Sequence, residues 1–280
     1  MRVHHLNCGT HCPFGGAFFD GASKGILADI PTHCLLIETE SGLVLVDTGY
    51  GLQDVRHPHA RLPWLWPAIL NVRLRERDTA LRQVEALGFH ARDVRHIVLT
   101  HLDFDHAGGI EDFPEARVHL LAIEREAAAR KRKSFVGNQR YRPAQWDTVS
   151  NWRTYAAGGE PWFGFSAVRQ LDGLPPEILM VPLRGHTEGH SGIAVQSGDG
   201  WLLHAGDAYL HHSQMLPKPR NTPGLALYQY IMDTDRPARR ANQERLRELK
   251  SAHNEIRILC SHDAAELAEA QSRTRPELAT

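Results

Sequence analysis

Short apolar runs alternate with polar, Gly- and Pro-marked turns along the 280 residues of this chain. Val3–Leu6, Cys34–Glu38 and Leu43–Val46, four to five residues long, read as strands. Thr79–Leu87 carries a helical period and stops at Gly88, a residue suited to the left-handed turn that ends a helix. His96–Leu99 and Arg117–Leu121 are strands again, and Ala122–Lys133 is a helix. The second half repeats the alternation. Strands are expected near 178–182, 192–196, 201–205 and 256–260, and helices near 235–252 and 263–271. Two β-rich halves with helices outside predict an α/β chain folded as a four-layer αβ/βα sandwich. No linker or short repeat divides it, so 1–280 is expected to form one domain.

Polar chemistry gathers where the apolar runs stop. Ile97–Leu99 leads into His101, Asp103, Asp105 and His106, followed by Gly108-Gly109. Buried carboxylates need compensation, and a mixed nitrogen and oxygen donor set suits zinc, iron or manganese. His101, Asp103 and Asp105 alternate as on an extended segment, whereas His106 breaks that alternation. A turn after Asp105 would aim Asp105 and His106 at a second point, so the spacing suggests two adjacent metals. Further donors follow other apolar runs: His186 after Ile178–Leu183, Asp207 after the run from Trp201, and His262 after the run from Ile256. His190, four residues beyond His186, is expected to orient a neighbour or pack the loop.

Composition narrows the class. A net charge of -1 and a 42% hydrophobic fraction point away from disorder and from a nucleic-acid-binding field. No stretch approaches an apolar membrane span, and Met1-Arg-Val-His-His lacks the core of a signal peptide. Four cysteines, Cys8, Cys12, Cys34 and Cys260, are too few for a disulfide scaffold, so a cytoplasmic protein is expected. Cys8 and Cys12 with His4, His5 and His11 fit no closed four-ligand zinc pattern well, and read instead as a first strand and turn beside the site mouth. The expected partner is a small-molecule substrate, with neither nucleic acid nor membrane; a homodimer is open. Two segments, near 52–77 and 134–165, look like insertions that shape specificity. The first contains the aromatic stretch from Leu62 to Leu70, read as a core-packed helix or dimer contact at least as readily as a substrate wall. Arg140 to Phe165, with Trp146, Trp152, Tyr155, Trp162 and Phe163, reads as an excursion over the site. Arg125, Arg130, Lys131, Arg132, Lys133, Arg140 and Arg142 read as a solvated basic face.

In this order the motifs resemble the metallo-β-lactamase superfamily of binuclear metallohydrolases. The match runs from Leu43-Val-Leu-Val-Asp47-Thr-Gly49 through His101-Leu-Asp103-Phe-Asp105-His106 to His186, Asp207 and His262. The resemblance implies a four-layer sandwich and two divalent ions, zinc first, with iron or manganese as alternatives. It gives His101, Asp103 and His186 to one ion, Asp105, His106 and His262 to the other, and Asp207 to both. Asp103 departs from the usual second histidine, and a harder anionic ligand favours iron or manganese there. The implied reaction is hydrolysis of an ester-type bond by a hydroxide held between the metals, with Asp105 also able to shuttle a proton. The motif looks most like the N-acyl-homoserine lactonase branch, which implies a lactone substrate and an assisting tyrosine, here Tyr209. A glyoxalase II-like thioesterase and a di-iron oxygen or nitric oxide reductase are the alternatives.

Overall fold

The computed structural model describes residues 1–131, 134–167, 171–198 and 200–274. Its first sheet contains β1 (Arg2–His11), β2 (Ile30–Thr39), β3 (Gly42–Val46), β4 (Val94–Val98), β5 (Arg117–Leu121) and β6 (Trp152–Tyr155), in that spatial order. The strands run antiparallel from β1 to β3 and parallel from β3 to β6. A small hairpin follows, β7 (Glu160–Trp162) and β8 (Phe165–Ala167). The second sheet has the order β12-β11-β10-β9, built from β9 (Ile178–Pro182), β10 (Ser191–Ser197), β11 (Gly200–His204) and β12 (Ile256–Leu259). Only its β11–β12 pair is parallel.

Successive side chains of a strand point to opposite faces, and here both faces are covered. Leu35, Ile37, Val44 and Val46 point inward, onto Ile178, Met180, Ile193 and Val195 of the second sheet. Their neighbours Leu36 and Leu45 point outward and pack with Val84 and Ala128, from helices Ala80–Ala86 and Ala122–Lys131. On the far side, Leu179, Val181 and Leu203 pack with Leu246 and Leu249 of helix Arg236–Ala252. The result is the expected αβ/βα sandwich. Continuous burial also explains why these strands read as unbroken apolar runs.

Several expectations change. β1 and β2 each run to ten residues, further than their apolar stretches, and so carry His11 and Ile30 to the site. β6, the β7–β8 hairpin and helix Pro223–Met232 were not expected. The aromatic residues of 140–165 do not arch over the site. Trp146 joins the outer core of the first sheet, Trp152 opens β6, and Trp162 packs against Trp201 beneath the second sheet. Their large apolar area is buried in the two outer cores instead. Arg140 and Tyr141, at the start of that segment, do reach the site: Arg140 contacts Asp103, and Tyr141 bridges to Asp103 through the backbone. Arg140 is therefore not part of a solvated face, being 2% exposed; Arg132 and Lys133 of that face, and the end of the expected helix to Lys133, lie outside the described residues. Leu62 and Leu70 pack with Tyr50 and Phe104, while Trp66 meets Tyr228 edge-on. All four cysteines are buried and outside any disulfide. Among the described residues no helix is long and apolar enough to cross a membrane.

Candidate metal centre

The donors converge at one end of the sandwich because each follows a strand that ends there. After β4 the chain stays extended through His101 and Asp103, then makes one helical turn, Phe104–Ala107. That turn carries Asp105 and His106 to a second position, and it begins at Phe104, before Asp105 rather than after it. The loop after β9 supplies His186, that after β11 Asp207, and that after β12 His262. Gly185 permits the β9 loop to lie against helix Arg236–Ala252: its φ is 139°, and a Cβ there would come within 2.5 Å of the Arg239 backbone nitrogen.

A buried polar scaffold orients these side chains. Asp47 follows β3 in the left-handed region, with φ 55°. Its carboxylate accepts hydrogen bonds from the Thr100 backbone and hydroxyl, both at 2.8 Å, and from His106 Nδ1 at 2.9 Å. Donating from Nδ1 leaves the Nε2 lone pair of His106 facing inward. His262 is fixed likewise, its Nδ1 donating to the Pro31 carbonyl at 2.8 Å. His190 donates from Nδ1 to the Leu183 carbonyl and accepts the Asp207 backbone N–H at Nε2, so it orients the Asp207 loop, as expected.

The fit to a cation rests on distances and on orphaned atoms. His262 Nε2 lies 3.3 Å from Asp207 and 3.6 Å from Asp105. His106 Nε2 lies 3.5 Å from Asp207 and 3.8 Å from Asp105. All but the shortest are long for hydrogen bonds. Three of the four fall in the spacing of about 3.3–3.6 Å between donors around a tetrahedral ion with bonds of about 2.0–2.2 Å, and the His106–Asp105 gap lies just beyond it. His101 Nε2, His106 Nε2 and Asp207 Oδ1 are buried without a hydrogen-bond partner. Such atoms are costly unless a cation serves them. The residues therefore fit a divalent ion.

Sequence reasoning missed His11 as a member of this group. It ends β1, its Nε2 lies 3.6 Å from Asp105 and 2.8 Å from the Tyr50 hydroxyl, and it forms a compact donor set with Asp105 and His262. Burial drives its pKa down to about 4, despite the nearby Asp105, so its ring is neutral and able to ligate. β1 is not an apolar run, so no local signal marked His11.

The His101, Asp103 and His186 side differs. These three also form a compact donor group. Yet the Arg140 guanidinium lies among them, with Nε 2.7 Å from Asp103 and Nη2 2.8 Å from His186 Nε2. Burial alone would raise the Asp103 pKa, but Arg140 and then His101 hold it well below the carboxylate range. Asp207 is held low in the same way, by His262 and His106 against burial.

Tyr209 is not in the site. It is buried in the outer core of the second sheet, and its hydroxyl donates to the Glu266 carboxylate at 2.9 Å. The loop after Asp207 turns this ring away from the metal donors. Tyr228, on helix Pro223–Met232, faces them instead. Burial first, and then Asp105, Asp103 and Asp207, push its phenol well above 10, so it keeps its proton. Phe19, Ile30, Leu70, Leu210 and Leu225 line an apolar recess with Tyr228, His11 and His262.

Residues 27–262 match the Metallo-beta-lactamase superfamily. A probable metallo-hydrolase of Mycobacterium tuberculosis is 40% identical over 264 residues, covering 94% of this chain and 80% of that protein. An N-acyl homoserine lactonase of Bacillus cereus is 32% identical over 122 residues, 41% of this chain and 49% of its own. A solved N-acyl homoserine lactone hydrolase, with N-hexanoyl-L-homoserine bound at its catalytic metal centre, superposes with a TM-score of 0.70. That alignment covers 100% of this chain and 98% of the other at 20% identity, a likeness of fold.

Proposed function

Starting from a chain that belongs to the Metallo-beta-lactamase superfamily and is a metallo-hydrolase of it, we propose that it opens the ester bond of a lactone, of the acyl-homoserine lactone class. One observation carries the hydrolytic reading: seven donors from four loops meet at one end of the two sheets, with separations that suit cation binding. His101, Asp103 and His186 would hold one divalent ion, Asp105, His106 and His262 the other, and Asp207 would contact both. Zinc is the first choice of ion, with iron or manganese next. Bound there, such ions lower the pKa of water towards neutrality and polarise a carbonyl oxygen.

The chain's own groups supply the rest. Asp105, between His11 and His262, takes the proton from the attacking water and returns it to the leaving alkoxide oxygen of the opened ring. Tyr228 keeps its proton at neutral pH and donates a hydrogen bond to the oxygen that gains charge. The apolar side chains Phe19, Ile30, Leu70, Leu210 and Leu225 stand beside the donors and would contact an acyl chain; the recess between them, about 20 Å³, encloses one only if they part. The partial likeness to the bacillary lactonase supports the lactone over a thioester.

The test is a panel of lactones, linear esters and thioesters, assayed before and after removal and return of metal. Metal-dependent turnover that favours lactones is the expected result. Oxygen consumption without hydrolysis would reject the reading, and a preference for thioesters would move the substrate assignment.

A further inference from the structure

We infer that the Arg140 guanidinium occupies the place of one of the two cations, so that this chain holds one divalent ion tightly and a second only by displacing Arg140. The inference rests on the metallo-hydrolase reading of the same site and changes its resting composition.

Arg140 closes helix Phe135–Arg140 and is held by four groups. Nη1 donates to the backbone carbonyls of His186 at 3.1 Å and Met232 at 2.9 Å. Nε contacts both oxygens of Asp103, at 2.7 and 2.9 Å. Nη2 reaches past that carboxylate to His186 Nε2, at 2.8 Å. The backbone contacts matter most, because they fix the charge rather than letting it swing out of a cation's way. A buried guanidinium so bound is costly to move.

Spacing separates the two sides of the centre. Around Asp105, His106, Asp207 and His262 the donors stand 3.3–3.8 Å apart. On the Arg140 side His101 Nε2 stands 3.5 Å from Asp103 and His186 Nε2 3.5 Å from Asp207, but the contacts that Asp103 and His186 make with Arg140 are of hydrogen-bond length. His186 Nε2 lies 3.1 Å from Asp103 as well as 2.8 Å from Nη2. In one tautomer its lone pair accepts from Arg140, and in the other its hydrogen goes to Asp103. Either way, the nitrogen that would ligate a metal is already engaged. Asp103 explains the arrangement: where the motif usually has a neutral imidazole, this chain has an anion, and Arg140 is its counter-charge. His101 Nε2, Asp103 Oδ1 and His186 Nδ1 lack a hydrogen bond, and of these Asp103 Oδ1 is ion-paired with Arg140.

The test is stoichiometry. Full-length protein is stripped with chelator and titrated with cobalt(II), followed by visible absorption, and zinc-loaded protein is counted by native mass spectrometry after buffer exchange. Wild type is expected to saturate at one equivalent and to bind a second roughly a hundredfold more weakly, the scale on which surrounding groups alter metal affinity. Arg140→Met removes the charge and keeps the length, and is expected to retain two ions. Should that variant fail to fold by circular dichroism, the double variant Asp103→His with Arg140→Met removes both members of the pair and is expected to retain two as well. Two equally tight ions in wild type, or one ion in the folded variants, overturns the inference and leaves the hydrolase reading intact. No ion in any of these proteins overturns both.

Discussion

At the residue scale, two tyrosines exchange the roles that sequence order suggests. Tyr209 follows Asp207 by two positions, yet its hydroxyl serves Glu266; Tyr228 comes from another helix and faces the carboxylates of the site. Tyr228→Phe is expected to lower kcat and kcat/KM together by roughly a hundredfold, the usual loss for one transition-state donor. Tyr209→Phe is expected to leave both unchanged and to lower stability by about 1 kcal/mol, the worth of one buried hydrogen bond. Steady-state kinetics and urea titration of the two variants decide the pair; a kinetic defect confined to Tyr209→Phe would reverse the assignment. Glu266 carries a pH dependence. Burial first, then Asp263, raises its carboxyl from 4.5 to about 7, against the Cys260 backbone and Tyr209 bonds that favour its charged form. The folded chain thus holds this proton more tightly than the unfolded chain does. Stability from this group is present below about pH 4.5 and is lost as pH rises through about 7. Glu266→Gln is expected to match wild type in Tm at pH 5 and to exceed it at pH 8. An equal pH slope in both proteins would remove Glu266 as the cause.

At the element scale, what was legible depended on how much of the signal was local. The buried strands and the helices at 80–86 and 236–252 announce themselves by period and by caps such as Asp235, whose side chain accepts from the Ala238 backbone. The gathering of the seven expected donors at one end of the sheets was legible because each follows an apolar run. His11, Arg140 and Tyr228 were not, because each reaches the site only through packing between elements far apart in sequence. Arg140 shows why: within its basic stretch nothing distinguishes it from solvated neighbours, and only Asp103, 37 residues earlier, makes it a buried ion-pair partner. The same argument singles out Gly185, where the β9 loop meets helix Arg236–Ala252. Gly185→Ala forces a Cβ towards the Arg239 backbone at a φ of 139° and is expected to cost about 1–3 kcal/mol. Because His186 adjoins it, metal affinity should fall as well. Unchanged affinity, measured by chelator competition, would show that the loop absorbs the strain without moving His186.

At the scale of the whole molecule, the centre spans both sheets: the β4 loop brings four donors from the first, and His186, Asp207 and His262 come from the second. An ion bound there ties the two sheets together. Metal that binds the folded chain alone is expected to raise stability by mass action, about 2.7 kcal/mol at a free concentration one hundred times Kd. Thermal melts across a metal series check this, and a Tm independent of metal would mean that the donors do not act as one site. The same geometry has a temporal side. Between His101 and His262 most of the second sheet must be made and docked before the donors can meet, and contacts so distant in sequence form late. Metal should therefore leave the refolding rate nearly unchanged and slow the unfolding rate, tilting one arm of a chevron and sparing the other. In that case the bound ion acts as a latch on a finished fold: it sets how long a molecule lasts once made, while the sheets alone set how quickly it is made.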